Sequence, residues 1–325
     1  MSPRRSWSPL VHVERLWGNW WLLPAIPLAY ALLVFAIGDL RPEHIGFAVV
    51  CCVLGWSTER TRRFLIDLSP TIAVGIGYDL VRYARSALLS PDRIIGCGLR
   101  NLELRLFSVS PGVTLQDWLV LHHAPVLDVL FAMPYAAFVY VAGAYAAYLY
   151  FADRRRMRRY VWAFAIANYL SFAFWLALPA APPWYLREHG CAIDLSVLPS
   201  PAALARVDDL LGIHYFHDFY GRAASVFGAL PSMHCAYPVL GLLTARSSAT
   251  RRTWPVHLTY TLLMFAAAVY LDHHWIIDGL AGWALAAAAV WIAEIAERRL
   301  HGAAQLSTTS QESSPQVAPA SELAG

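Results

Sequence analysis

Apolar residues in this chain gather into long runs, and eight of these runs approach the length of a membrane span. A helix that crosses a bilayer needs about 20 mostly apolar residues. The eight segments are residues 20–38, 44–57, 64–84, 126–151, 159–179, 235–246, 254–271 and 275–297. The second and the sixth are short and must use flanking residues to cross. The pattern predicts an all-α, polytopic membrane protein with a six-span core preceded by a two-span hairpin.

These segments divide the chain into three parts. Residues 1–63 hold the hairpin, residues 64–300 form the main membrane domain, and residues 301–325 form a tail rich in Ser, Thr, Gln, Pro and Ala. The tail has no apolar periodicity, so we expect it to be disordered. Arg4 and Arg5 precede the first span without a cleavable pattern, which predicts a retained N-terminal anchor.

Arginine placement predicts the orientation of the spans. Every one of the 25 basic residues is an arginine. Four Arg-rich connections fall on one side of the membrane if all eight segments cross: residues 58–63, 153–159, 246–252 and 297–299. The positive-inside rule assigns that side to the cytoplasm, together with both termini. We expect the inner (plasma) membrane of a bacterium, because an all-arginine basic set is typical of GC-rich coding.

The connection after the third span departs from this rule. It carries five arginines on the side that the count places outside: Arg82, Arg85, Arg93, Arg100 and Arg105. Either the topology differs there, or these arginines serve another purpose. Within this connection, residues 98–107 place leucines on one helical face and Glu103 off it, which predicts a helix lying in the membrane interface.

Composition agrees with a membrane protein and excludes other classes. The chain is 58% hydrophobic and 14% charged, whereas soluble domains carry about 25% charged residues. Its 13 Trp and 16 Tyr suit the membrane–water interface. The net charge of +3 comes from arginines scattered at span ends, without the aromatic-basic groove that binds nucleic acid. We therefore expect no nucleic-acid partner.

Two short stretches at the edges of apolar segments carry candidate chemistry. One runs from Phe227 to His234 with the sequence FGALPSMH, and the other from Tyr270 to Asp278 with the sequence YLDHHWIID. The chain crosses the membrane twice between them, so His234 and His274 lie on the same face. Asp278 is one helical turn from His274 and can orient its imidazole. A His–Asp pair facing a second His suits attack on phosphorus, with a separate acid for the leaving group.

Each of these residues also has an ordinary explanation. A His at a span end is often interfacial, and a His-x-x-x-Asp pair is common by chance. Asp278, however, lies about one turn inside an apolar span, where an unpartnered carboxylate costs several kcal/mol. Adjacent histidines suggest zinc, but His273 is rotated about 100° from His274 and no third ligand is evident. We therefore expect neither a metal nor another cofactor.

The two stretches resemble the second and third signatures of the type 2 phosphatidic acid phosphatase superfamily, Pro-Ser-x-His and His-x-x-x-Asp. The FGALPSMH wording, the Tyr-Leu-x-His-His stretch and the APPWY sequence at residues 181–185 are similar to its inositol phosphorylceramide synthase branch. The resemblance covers residues 64–297. It implies that His274 is the nucleophile, that Asp278 orients it, and that His234 is the acid for the leaving group.

The likeness is incomplete where the phosphatases grip phosphate. They precede the nucleophile with Ser-Arg, and these positions hold Ala267 and Ala268 here. Their first signature, a Lys and an Arg-Pro, is also missing. Fewer cations suit a phosphodiester, which carries one charge, better than a phosphomonoester, which carries nearly two.

Six further residues are candidate substrate ligands: Ser232, Tyr78, Asp79, Arg82, Trp184 and Tyr185. Ser232 and the amides that begin the next helix can cradle a phosphate oxygen. The stretch from Tyr78 to Arg82 is the nearest substitute for the missing signature, although a lone arginine at a span end is often a snorkelling anchor. Trp184 and Tyr185 would exclude water while a lipid enters, unless they are ordinary interfacial aromatics.

Residues and resemblance together predict a membrane phosphotransferase. It would move a phospho-headgroup, such as phosphoinositol, from a phospholipid donor to a lipid alcohol acceptor, such as ceramide, through a phospho-His intermediate on the external face. One alternative is a lipid phosphate phosphatase acting on phosphatidic acid or a polyprenyl phosphate. Another is a non-catalytic transporter or scaffold, which the retained catalytic residue types disfavour. Cys97 and Cys191 both fall in external connections, where an oxidising compartment permits a disulfide that sequence alone does not establish.

Overall fold

The computed structural model describes residues 9–221, 226–245 and 253–312, and within them it is helical, with only isolated β-bridges. The α-helices are α1 (Pro9–Trp17), α2 (Ile26–Ala36), α3 (Pro42–Ser57), α4 (Glu59–Leu88), α5 (Cys97–Phe107), α6 (Leu115–Leu121), α7 (Pro125–Ala152), α8 (Arg154–Ala177), α9 (Pro183–His189), α10 (Ala205–Leu211), α11 (Tyr215–Tyr220), α12 (Met233–Thr244), α13 (Trp254–Tyr270) and α14 (Ile276–Glu312). The all-α prediction is confirmed.

Within the described residues, four helices are long and apolar enough to cross a membrane by themselves: α4, α7, α8 and α14. The helices α3, with 16 residues, and α12, with 12 residues, are apolar but shorter. Large apolar side chains point outward from the bundle, such as Val126 at 79% and Phe151 at 83% exposure. Such side chains are stable in contact with lipid tails. The chain is a multi-pass membrane protein.

The N-terminal hairpin differs in detail from the expected pair of continuous spans. Residues 9–20 and 23–36 form two helical pieces bent by 90° relative to each other. Gly18, with a φ of +56°, separates α1 from a 3₁₀ turn inside the first piece, and Pro24 lies in the 3₁₀ turn that opens the second piece, so this segment is not one continuous α-helix. The straight part of the first predicted span is therefore α2, with 11 residues.

Helix α14 continues past the end predicted for the membrane domain. It runs to Glu312, so residues 301–312, for which the sequence predicts disorder, are helical. Ala, Gln and Leu in this stretch are good helix formers, and a span that is already helical lets the helix propagate into them. Residues 313–325 of the predicted tail lie outside the described residues.

The helix predicted at residues 98–107 is present as α5, but its buried face differs from the prediction. Leu99 is buried as expected, whereas Leu106 is 59% exposed and Glu103 is fully buried. The amphipathic pattern did not predict the burial of Glu103, because the backbone amides that bind its carboxylate are more than 170 residues away. A disulfide between Cys97 and Cys191 fixes the start of this helix, with the two Cα atoms 5.4 Å apart.

Arginines after the third span have structural partners that account for their position. Arg93 donates to the carbonyl oxygen of Leu176 at 2.9 Å. Arg100 donates to the carboxylate of Asp117 at 2.7 Å, which joins α5 to α6. These contacts give Arg93 and Arg100 structural roles that do not require a different topology.

The core of the bundle surrounds α12, which packs against α7, α8, α13 and α14. One contact is unusually close: a Cβ atom added to Gly282 of α14 would lie 2.2 Å from the carbonyl oxygen of Ser232. Glycines that let helix backbones approach are typical of packing in membranes. The starts of α12 and α14 therefore meet at one end of the bundle.

Candidate active site

Three extended segments support the loop that precedes α12. The N–H of Ala180 donates to the carbonyl of Phe227 at 3.0 Å, and the N–H of Ala181 donates to the carbonyl of Ile95 at 2.9 Å. The N–H of Ala229 completes the pairing by donating to the carbonyl of Ala180 at 3.4 Å. The loop is therefore held on one side, and the carbonyl of Ala229 has a defined direction.

Ser232 links the two helices that carry the predicted catalytic residues. Its hydroxyl oxygen accepts from the N–H of Cys235 at 3.3 Å and so caps α12. Its own N–H donates to the carbonyl oxygen of Asp278 at 3.0 Å. The residue is fully buried. Its contacts are those of a structural cap, and its role as a phosphate cradle stays a prediction.

His234, His274 and Asp278 come together where these helices start. The Nδ1 atom of His234 lies 3.2 Å from the Nε2 atom of His274. The Nδ1 atom of His274 lies 3.0 Å from the carbonyl oxygen of Ala229 and 3.6 Å from Oδ2 of Asp278. Because a carbonyl oxygen only accepts, this geometry assigns the proton of His274 to Nδ1. The lone pair on Nε2 is thus directed toward His234.

Asp278 also shapes the turn that holds His274, the predicted nucleophile. The residue is fully buried, and its Oδ2 atom accepts from the N–H of Trp275 at 2.9 Å. A carboxylate in this position satisfies an amide at the start of α14 and interacts favourably with the helix dipole. One oxygen therefore fixes the loop and attracts the imidazole of His274.

Aromatic rings enclose the histidines. The ring of Tyr135 stacks on that of His234 with centroids 3.9 Å apart, and the centroid of the Phe138 ring lies 4.2 Å from that of His234. His273 turns away from the pair, donates to the carbonyl of Pro201 at 3.0 Å, and has its pKa lowered to about 3 by burial. Among the residues that the structure describes, no three His, Cys, Asp or Glu side chains are grouped to hold a metal ion.

Trp184 and Tyr185 lie in the interior. Their exposures are 4% and 0%. The N–H of Trp184 donates to the carbonyl of Asp272 at 3.3 Å, and the hydroxyl of Tyr185 accepts from the N–H of Asp194 at 2.7 Å. Both rings anchor α9 in the interior beside the loop that carries His274, and a substrate contact for them stays a prediction.

Asp79 joins the N-terminal hairpin to the core. Its carboxylate accepts from the hydroxyl of Tyr30 at 2.8 Å and from the guanidinium of Arg41 at 2.5 Å, and it lies 2.8 Å from Nε2 of His44. The guanidinium of Arg82 lies 3.4 Å from the same carboxylate. These contacts assign Asp79 a structural role, and phosphate binding by it or by Arg82 stays a prediction.

The ring of Tyr78 is connected, through a neighbouring indole, to the loop that precedes α12. Its ring meets that of Trp175 edge-on at 6.4 Å between centroids. A Cβ added to Gly228 would lie 3.5 Å from the same indole, so the loop packs directly on Trp175. Of the substrate ligands predicted on the third span, Tyr78 is connected to the site through this indole.

Sequence reasoning missed the polar residues that flank the loop of His274. The guanidinium of Arg187 pairs with the carboxylate of Asp272, with one N–O distance of 2.6 Å. Asp272 has a φ of +65°, and burial raises its pKa to about 6 in spite of Arg187. Glu103 and Gln116 lie on the other flank, below the start of α14. The sequence offers no signal for these long-range partners.

Comparison with known proteins places the two motifs within one matched region. The family model of the PAP2 superfamily matches residues 102–292. A phosphoinositol dihydroceramide synthase of Bacteroides thetaiotaomicron is 35% identical over 260 residues, which cover 78% of this chain and 84% of that protein. An inositol phosphorylceramide synthase of Candida albicans is 32% identical over 162 residues, 48% of this chain and 34% of its own length. An inositol phosphorylceramide synthase catalytic subunit of Schizosaccharomyces pombe is 30% identical over 164 residues, 50% of this chain and 39% of its own length. No solved structure matches the chain.

Proposed function

The chain belongs to the PAP2 superfamily, and from this premise we propose that it transfers a phosphoinositol-type headgroup from a phospholipid to the hydroxyl of a ceramide-type lipid. The observation that carries the proposal is the Nε2 lone pair of His274, which faces Nδ1 of His234 at 3.2 Å. The names of the relatives, all synthases of phosphoinositol-bearing ceramides, support the choice of donor and acceptor.

In the first step, Nε2 of His274 attacks the phosphorus of the donor. The N–P bond forms while the P–O bond to diacylglycerol breaks, and protonated His234 gives its proton to the departing oxygen. The phosphorylated imidazole is cationic. Asp278 and the carbonyl of Ala229 stabilise it through the proton on Nδ1.

In the second step, the lipid hydroxyl takes the place that diacylglycerol leaves. Neutral His234 accepts the hydroxyl proton as the oxygen attacks phosphorus, and the N–P bond to His274 breaks. Both histidines return to their starting protonation states, so the cycle consumes no cofactor.

The two histidines must separate before substrate enters. Reacting atoms approach to about 3–3.5 Å on each side of phosphorus, so the 3.2 Å between the two nitrogens leaves no place for it. The structure therefore represents a closed arrangement, in which the side chain of His274 is 8% exposed.

Burial and charge favour transfer to a lipid over release to water. Ala267 and Ala268 are both fully buried in α13, at the positions where the phosphatases keep Ser-Arg. A pocket with fewer cations is better suited to the single charge of a phosphodiester. Rings such as Tyr135 around His234 restrict the entry of water.

We infer that this end of the bundle faces the outside of the plasma membrane, with both termini in the cytoplasm. Arg-rich connections such as residues 153–159 lie at the opposite end, in agreement with the positive-inside rule. The disulfide between Cys97 and Cys191 lies at the catalytic end and suits an oxidising compartment. A membrane-impermeant reductant applied to intact cells should reduce it, and protection until lysis would contradict this orientation.

The function is tested with purified protein in detergent, labelled phosphatidylinositol, and ceramide present or absent. We expect the label on ceramide in the wild type, and no turnover with His274→Ala or His234→Ala at unchanged folded yield. His123→Ala is the matched control, because this histidine is 40% exposed. Activity near that of the wild type in either catalytic variant would refute the assignment.

A further inference from the structure

Glu103 is a fully buried carboxylate with no place in the mechanism above. Its Oε1 atom accepts from the N–H of Ile276 at 2.9 Å, and its Oε2 atom accepts from the N–H of Ile277 at 3.4 Å. These are the first two amides of α14, which no intrahelical carbonyl can satisfy. Glu103 therefore acts as a helix cap supplied by a different helix, α5.

Gln116 of α6 extends the same network to the nucleophile. It is fully buried, and its Nε2 atom donates to Oε1 of Glu103 at 3.0 Å and to the carbonyl oxygen of His274 at 3.3 Å. The residues from His274 to Ile277 are thus bonded on their outer side by two side chains. On the inner side, Asp278 accepts from the N–H of Trp275 at 2.9 Å, and the N–H of His274 donates to the carbonyl oxygen of Ala268 at 3.1 Å.

The elements that supply these side chains are themselves fixed. The disulfide at Cys97 holds the start of α5. Arg100 of α5 donates to Asp117 of α6 at 2.7 Å. A rigid support of this kind transmits the position of Glu103 to the backbone of the nucleophile.

We propose that Glu103, with Gln116, is a positioning residue that sets the attack geometry of His274 by capping α14 from outside. This inference rests on the proposed function, because the reaction of His274 is the activity that it serves. Loss of the cap frees two amides and lets the turn rotate. Misplacement of the nucleophile by about 1 Å lowers the rate by about 10²-fold without weakening substrate binding.

Two variants and one control test this role. Glu103→Ala removes both acceptor oxygens, whereas Glu103→Gln keeps one and places an amide N–H₂ against a donor. Asp92→Asn is the matched control, since this carboxylate is exposed just before α5. We expect kcat per folded protein to fall about tenfold for Gln and about 10²-fold for Ala, with KM within about twofold of the wild type.

Hydrogen exchange at Ile276 and Ile277 gives a readout that needs no substrate. We expect faster exchange there in both Glu103 variants and wild-type exchange in Asp92→Asn. Unchanged exchange, or a kcat per folded protein equal to that of the wild type, would overturn the proposal, even if less protein folds. If Glu103→Ala does not fold, the exchange rates and kcat of Glu103→Gln alone test the proposal. A wild type that transfers no headgroup would instead overturn the proposed function, and the exchange rates would still test the cap.

Discussion

Replacing Gly282 by alanine should separate the two helix starts that carry the catalytic residues. A Cβ at this position would lie 2.2 Å from the carbonyl oxygen and 3.2 Å from the carbonyl carbon of Ser232. Both are backbone atoms, so rotation of a side chain cannot relieve the overlap. Helix α14 must move away from α12 by about 1 Å to restore van der Waals contact. Overpacking of this kind destabilises by about 1–3 kcal/mol, and such a displacement lowers catalytic rates by about 10²-fold.

The assay is kcat for headgroup transfer per folded protein. Gly143→Ala is the matched control, because a Cβ there meets nothing within 4 Å and alanine favours the helix by about 1 kcal/mol. We expect Gly282→Ala about 10²-fold below the wild type and the control within about twofold of it. A wild-type kcat in Gly282→Ala would show that this backbone contact does not set the distance between His234 and His274.

Three further predictions concern the site and its support. Asp278→Asn should lower kcat by about 10²–10³-fold, which is less than the roughly 10⁴-fold loss in the serine protease triad. The loss is smaller because the carbonyl of Ala229 also accepts the Nδ1 proton of His274, at 3.0 Å. A loss below about tenfold would contradict a role for Asp278 in orienting His274. A chelator should leave the rate unchanged, since no metal-ligand group occurs among the described residues; inactivation that zinc reverses would contradict it. The disulfide between Cys97 and Cys191 spans a sequence separation of 94, so the double serine variant should lose up to about 4–5 kcal/mol in the chain-entropy account; an unchanged thermal midpoint in detergent would contradict that.

The grouping of His234, His274 and Asp278 could be predicted from the sequence because its geometry is mostly local. His274 and Asp278 are four residues apart at a helix start, and the packed helices α12 and α13 return the chain to the end of the bundle that holds His234. The membrane-spanning segments are also predicted directly, since the thickness of the bilayer sets the length of an apolar run that crosses it. In these cases the spacing along the chain determines the spacing in space.

The polar supports were not accessible because their partners are remote in sequence. Glu103 caps an amide 173 residues away, and Asp79 binds residues of a hairpin that precedes it by 35 residues or more. An amphipathic pattern reports which face is apolar, but it does not report what a buried carboxylate meets. The break at Gly18 and the bend after residue 20 were not predicted either, because hydropathy carries no information about backbone dihedral angles.

Transfer of a headgroup by His274 to a lipid hydroxyl is distinguished from hydrolysis by a product ratio, measured on phosphatidylinositol and phosphatidic acid in the same mixed micelles, with and without ceramide. We expect the phosphodiester to be the better donor and transfer to ceramide to outpace release to water, because Ala267 and Ala268 occupy the positions where the phosphatases keep Ser-Arg. Faster cleavage of phosphatidic acid, with no effect of added ceramide, would instead identify a lipid phosphatase.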